Sequence, residues 1–156
     1  MVLNQYEKKA RELFLNGCNC SQAVFCAFCD VTGIDEKVAL KISSSFGGGM
    51  GRLREVCGAV SGMFMVLGAL YGYDDVGDGA AKSKHYKRIQ KVAEEFKKEN
   101  GSIVCRELLG DGGKDCSPVA SARTDEYYKK RPCVELVALA ARITAQYIEQ
   151  NKIEKQ

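Results

Sequence analysis

Tryptophan is absent from the 156 residues, histidine occurs once (His85) and proline twice (Pro118 and Pro132). One imidazole leaves little basis for a His-rich zinc enzyme site or for a Ser–His–Asp triad centred on His85. The opening MVLNQYEKKARELF contains no apolar signal core, so the chain is expected to stay in the cytoplasm. Its longest apolar run, 57–71, is shorter than the ~20 residues a bilayer needs, which excludes a membrane span. No window alternates with period two for long enough to make a strand, and there is neither an internal repeat nor a low-complexity segment. Net charge is only +3, and aromatics do not interleave with the lysines and arginines of 80–100, so a nucleic-acid partner is not expected. The glycines at 47, 48, 49 and 51 fit neither G-x-x-x-x-G-K-[ST] nor G-x-G-x-x-G, and they follow no strand; a nucleotide loop is disfavoured.

What the chain does have is apolar content of 46%, charged content of 28% and eight cysteines. That composition and length suit one soluble domain, 1–156. In a reducing compartment, eight cysteines point to metal binding or redox chemistry rather than to a disulfide scaffold. The segment 46–73, FGGGMGRLREVCGAVSGMFMVLGALYGY, organises the reading. After the glycine loop come Arg52, Arg54 and Glu55, and from Cys57 to Tyr71 every side is apolar, the mark of a buried helix. Its glycines let neighbouring backbones approach, at ~0.8–1 kcal/mol each against alanine. The expected fold is all-α, a single-domain helical bundle around this central Gly-rich helix with the helix 133–150 against it. Overpacking at Gly68 is expected to destabilise by ~1–3 kcal/mol.

Other helices follow from periodicity and caps. Tyr6, Ala10, Leu13 and Phe14 recur at helical spacing before Gly17. Asn19 is a cap for a second helix to about Val31, with Gly33 as its stop. Asp35 caps a third with apolar Val38, Leu40 and Ile42. A long charged helix over 80–100 turns Tyr86, Ile89, Ala93 and Phe96 inward; Thr124 starts a short turn. Pro132 fits the first position of the last helix, putting Cys133 second above Leu136, Val137, Ala140, Thr144 and Tyr147. On a continuous second helix Cys29 lies opposite Cys20 and Cys26 a third of a turn away. Cys18, Cys20, Cys26 and Cys29 therefore cannot form a local metal site. Cys26 and Cys29 also lack the βαβ setting of a thioredoxin-type pair and are read as packing residues.

Cys20, Cys57, Cys105 and Cys133 combine two properties: each sits in the first turn of an expected helix, and each heads an apolar stripe. Inward stripes meet in one core, so these four are expected to lie together, without Cys26 or Cys29. Four bare thiolates would repel, so such a group exists as neutral thiols, as disulfides, or as ligands to a metal. Cys57, at a helix entrance behind Arg52 and Arg54, is expected to be the most thiolate-like and the candidate catalytic thiol. The plain alternative pairs those arginines with acids and leaves Cys57 as a packing residue.

With Cys20-Ser21-Gln22-Ala23-Val24, the block Cys57-Gly58-Ala59-Val60-Ser61-Gly62 behind GGGMGR, Cys105-Arg106-Glu107-Leu108-Leu109-Gly110 and Cys133, the chain resembles a family of redox-active proteins defined by a C…CGAxxG…C…C pattern. The resemblance covers nearly the whole length. It implies an all-helical fold with Cys20, Cys57, Cys105 and Cys133 as the family cysteines. A related region occurs in split-Soret cytochromes, where an iron–sulfur centre is associated with it. No C-x-x-C-H haem attachment motif is present here, and the haem is not carried over. Cys18, Cys26, Cys29 and Cys116 lie outside the family set. The leading expectation is a redox or electron-transfer protein whose four cysteines ligate an iron–sulfur cluster and which meets a redox partner protein, with a homodimer allowed for. The alternatives are a metal-free thiol–disulfide protein, and a helical interaction module with structural zinc.

Overall fold

The computed structural model describes residues 3–151 and 153. Among them there is no strand beyond one isolated antiparallel bridge, Val56–Val104, and the architecture is all-α. Helix α1 (Leu3–Leu15) buries Tyr6, Ala10 and Phe14. Helix α2 (Cys20–Ala27) begins with a reciprocal cap: Asn19 Oδ1 accepts the Gln22 N–H at 2.9 Å and Gln22 Oε1 accepts the Asn19 N–H at 3.0 Å. The helix expected to continue to Val31 instead breaks at Phe28 (φ −108°, ψ 15°) and resumes as α3 (Cys29–Thr32), which Gly33 stops with φ 72°. Phe28 is fully buried with its ring stacked on Tyr6, centroids 4.4 Å apart, so tertiary packing overrides helical continuity here.

Helix α4 (Glu36–Ser44) is capped as expected, Asp35 accepting from the Val38 N–H at 3.1 Å. Its buried face, however, is Ala39 and Ser43, while Val38 and Ile42 are half exposed. Small side chains let α4 close on α2, and the Ser43 hydroxyl is satisfied by the Ala39 carbonyl at 2.6 Å. Helix α5 (Gly58–Tyr71) is buried through its first turns and again at Val66 and Leu67. In the long helix α6 (Gly79–Asn100) the buried residues are Val92 and Phe96, and Tyr86 points outward. The inner place near Tyr86 goes to Arg88, which lies 4.8 Å over the Tyr71 ring and donates to the Tyr147 hydroxyl at 2.8 Å.

The chain then makes α7 (Cys105–Leu109), a 3-10 turn (Gly110–Lys114), α8 (Asp125–Lys130) capped by Thr124, and α9 (Cys133–Gln150). Pro132 is the cap of α9 and Cys133 its first residue, one position earlier than expected. Helix α9 is buried on most sides, from Cys133 and Leu136 to Ile148, and packs against α1, α2, α5 and α6. The centre of the bundle is thus shared by α5 and α9. No helix among the described residues is long and apolar enough to cross a membrane.

The close approach of backbones falls at Gly62, not Gly68. A Cβ on Gly62 would stand 2.8 Å from the Ser21 carbonyl oxygen and 2.9 Å from Val24 Cβ, whereas one on Gly68 meets nothing within 4 Å. The Gly68 expectation is corrected accordingly. Gly62→Ala should lose ~1–3 kcal/mol by overpacking the α2–α5 contact. Gly68→Ala should be neutral or gain up to ~1 kcal/mol, because it only restricts the unfolded chain. Urea unfolding of both variants checks this; equal losses would refute the assignment.

A cavity lined by four cysteines

The site starts from a backbone that few residues would tolerate. In the glycine loop Gly48, Gly49 and Gly51 have positive φ, and so do the non-glycine residues Met50 (66°), Arg52 (65°) and Arg54 (62°). Each of the latter costs ~1–2 kcal/mol. The coil is held by hydrogen bonds from the Met50 N–H to the Phe46 carbonyl (3.2 Å), Arg52 to Gly47 (3.1 Å) and Glu55 to Gly49 (2.9 Å). Leaving it, residues 54–57 run antiparallel to 103–106. The Cys57 N–H donates to the Ile103 carbonyl at 2.8 Å, Cys105 to Glu55 at 2.6 Å and Arg106 to Arg54 at 3.2 Å.

This clamp sets Cys57 at the entrance of α5 beside Cys105 at the entrance of α7. Gly49 packs under Cys105, where a Cβ would come 2.6 Å from Cys105 Cβ. Gly58 lets α2 approach: a Cβ there would be 3.1 Å from Cys20 Cβ. Cys20, at the start of α2, is in turn a neighbour of Cys133 at the start of α9. All four cysteines line one cavity of about 270 Å³, together with Arg52, Arg54, Arg123, Arg131 and Tyr127. Among the described residues no carboxylate lines it.

Burial and charge divide the four thiols. Burial pushes Cys57 up to about 12, and the amides of Val60 and Ala59 offset this only in part. Cys105 is also raised by burial, against a downward pull from Arg54, whose Nη1 lies 3.9 Å from its sulfur. Cys133 is the exception, brought down to about 7 by the hydrogen bond that Cys20 donates, with Arg131, Arg123 and Arg54 helping against burial. Cys20 is raised by giving that bond and by burial. The expectation that Cys57 is the most thiolate-like is therefore reversed: the helix entrance supplies ~0.3–1 kcal/mol, less than the desolvation of a thiolate in a sealed position. Arg52 is committed elsewhere, to Asp115 at 3.2 Å and the Ser117 carbonyl at 2.7 Å.

The remaining cysteines stay outside the cavity. Cys26 and Cys29, three residues apart, are neighbours as on any helical turn, with Cys18 nearby; burial raises Cys26 to about 12. Cys116 is exposed. Nowhere among the described residues do three His, Cys, Asp or Glu side chains converge on one ion. Sequence reasoning missed Arg123, Arg131 and Tyr127, which come from the 115–131 stretch, where no periodicity betrays which side chains turn inward.

Fold and site together define an all-helical protein built to gather thiols at helix entrances. The chain belongs to the family described as "Putative redox-active protein (C_GCAxxG_C_C)", whose model matches residues 18–147. That description writes the central block as GCAxxG, where this chain reads Cys57-Gly58-Ala59-Val60-Ser61-Gly62. Searches of curated proteins and of solved structures gave no match.

In the reduced, metal-free protein, one thiolate should titrate near pH 7, seen by ultraviolet absorbance. It should vanish in Cys133→Ser and move to higher pH in Cys20→Ser, while Cys57→Ser leaves it in place. A neutral-range thiolate that survives Cys133→Ser would overturn the assignment.

Proposed function

We propose that Cys20, Cys57, Cys105 and Cys133 form one redox centre whose working form is an iron–sulfur cluster serving a partner protein. The observation that carries this reading is the lining of the cavity: four thiols from four helix entrances, four arginines and no carboxylate. Iron–sulfur clusters are held by four cysteine thiolates and tuned by hydrogen bonds to sulfur and by burial. Those features have their counterparts here. Cys57 stands at the N-terminus of α5, Arg54 reaches Cys105, and three of the four cysteines are buried. When bound, such a cluster accepts and returns an electron. The raised thiols of Cys20, Cys57 and Cys105 would lose their protons to solvent on ligation, so loading should release acid and weaken as pH falls. A single zinc ion would need its thiolates to converge at ~2.3 Å from one point, and metal analysis separates it from a cluster.

A second reading is favoured by the neighbouring positions of Cys20 and Cys133 in the cavity, with Cys133 held down to about 7. The Cys133 thiolate attacks a disulfide of a partner protein and releases one partner thiolate. Cys20, having lost its proton to solvent, attacks the Cys133 sulfur and releases the second. The partner gains two electrons and the chain keeps a Cys20–Cys133 disulfide. Cys133 and not Cys57 is the attacking thiol in this scheme. The reading places the protein in the cytoplasm and leaves a homodimer open to direct measurement.

Anaerobic purification with iron, sulfide and zinc analysis tests both. Brown protein carrying iron and sulfide should bleach in each of Cys20→Ser, Cys57→Ser, Cys105→Ser and Cys133→Ser but not in Cys29→Ser or Cys116→Ser. Colourless, metal-free protein that forms a Cys20–Cys133 disulfide moves the conclusion to the second reading. Stoichiometric zinc would defeat both.

A further inference from the structure

The arginines of the cavity outnumber the anions available to them. Arg52 has Asp115. Among the described residues the other three meet no carboxylate. Arg54 Nε donates to the Asp115 backbone carbonyl at 2.9 Å. Arg123 donates to the carbonyls of Phe14 and Cys18, both at 2.9 Å, and stacks 4.2 Å over the Phe14 ring. Arg131 donates to Ser121 Oγ at 3.4 Å and lies 4.7 Å over the Tyr127 ring. Among the described residues no carboxylate lines the cavity, so these three guanidiniums have no acidic side chain opposite them. Buried charges in proteins are normally paired.

Arg54 makes the deficit specific. It is 1% exposed, lines the cavity, and its Nη2 has no hydrogen-bond partner. Nearly all buried side-chain donors have one, and the planar guanidinium fork matches an oxyanion with two acceptor atoms. Gly47, Gly48 and Gly49 also line the cavity, so no side chain from that wall fills it. At about 270 Å³ the cavity exceeds the ~30 Å³ share of a single water and accommodates a ligand of several heavy atoms.

We propose that this cavity seats a small oxyanion on Arg54 and Arg131, with Arg123 behind them, next to Cys105 and Cys133. The inference deepens the redox reading by naming the ligand class that the thiols would meet, and it rests on that reading only for the adjacency to a redox centre. It does not depend on iron.

Sulfate is the probe. The full-length chain, reduced and with its iron content measured, is titrated at constant ionic strength made up with chloride, by calorimetry and by the rate of Cys133 alkylation. Sulfate should bind saturably and slow alkylation, up to about tenfold if it cancels one pKa unit of the arginine effect. Arg131→Gln, at a half-buried position, and Arg54→Gln should each weaken binding by about tenfold or more. Lys114→Gln, outside the cavity, should not. No saturable binding by the wild type, or binding that neither cavity variant weakens, overturns the anion seat. Lost sulfate binding with cysteine-dependent iron intact defeats this inference alone; sulfate binding without iron defeats only the cluster.

Discussion

The antiparallel clamp between residues 54–57 and 103–106 is the constraint from which the site follows. Three backbone hydrogen bonds fix Cys57, Cys105 and Arg54 at once, so helix entrances far apart in sequence share one wall. The left-handed turns at Met50, Arg52 and Arg54 cost ~1–2 kcal/mol each. The clamp and the bonds inside the loop contribute ~0.5–1.5 kcal/mol apiece, a gain comparable in size to that strain. Strain confined to one loop beside a cavity, and balanced by hydrogen bonds to its neighbours, is what a site made to hold particular side chains requires. The same loop also delivers Arg54 into the interior, and the guanidinium has a carbonyl, a sulfur and the cavity as its only surroundings.

Within that frame, burial and charge act against each other on four chemically identical thiols. Cys57 occupies the better helix entrance, yet desolvation dominates and holds it protonated. Cys133 is nearly as buried, but it receives a hydrogen bond and faces three guanidiniums. A metal would level these differences, since ligation removes all four protons and supplies compensating charge. Without metal the asymmetry remains, set by burial and by the arginines rather than by any difference among the thiols themselves.

That Cys20 and Cys133 turn toward one cavity was legible because the cues are local. Asn19 stands before Cys20 and Pro132 before Cys133, and the buried apolar residues one turn on, Ala23 and Val24 or Leu136 and Val137, show which side is inward. The helical fold was legible for the same reason. What escaped depends on distant partners. The break at Phe28 comes from stacking on Tyr6, twenty-two positions earlier. The inward turn of Arg88 in place of Tyr86 needs Tyr71 and Tyr147. Gly62 and Gly68 are equivalent in sequence, and only the placement of α2 makes one of them indispensable. Arg123 and Arg131 lie in a polar stretch where nothing nearby marks them as inward.

The fold also keeps its two groups of thiols apart. Cys20 and Cys26 sit near opposite ends of α2, six residues and therefore ~9 Å apart along the axis, and neither Cys26 nor Cys29 lines the cavity. Direct thiol exchange needs sulfurs in contact, so Cys26 and Cys29 cannot exchange with Cys20 while α2 stays folded. Arg123 reinforces that separation. It donates to the carbonyls of Phe14 and Cys18 and so ties the junction before α2 to the cavity wall, its charge on the cavity side and its bonds on the other.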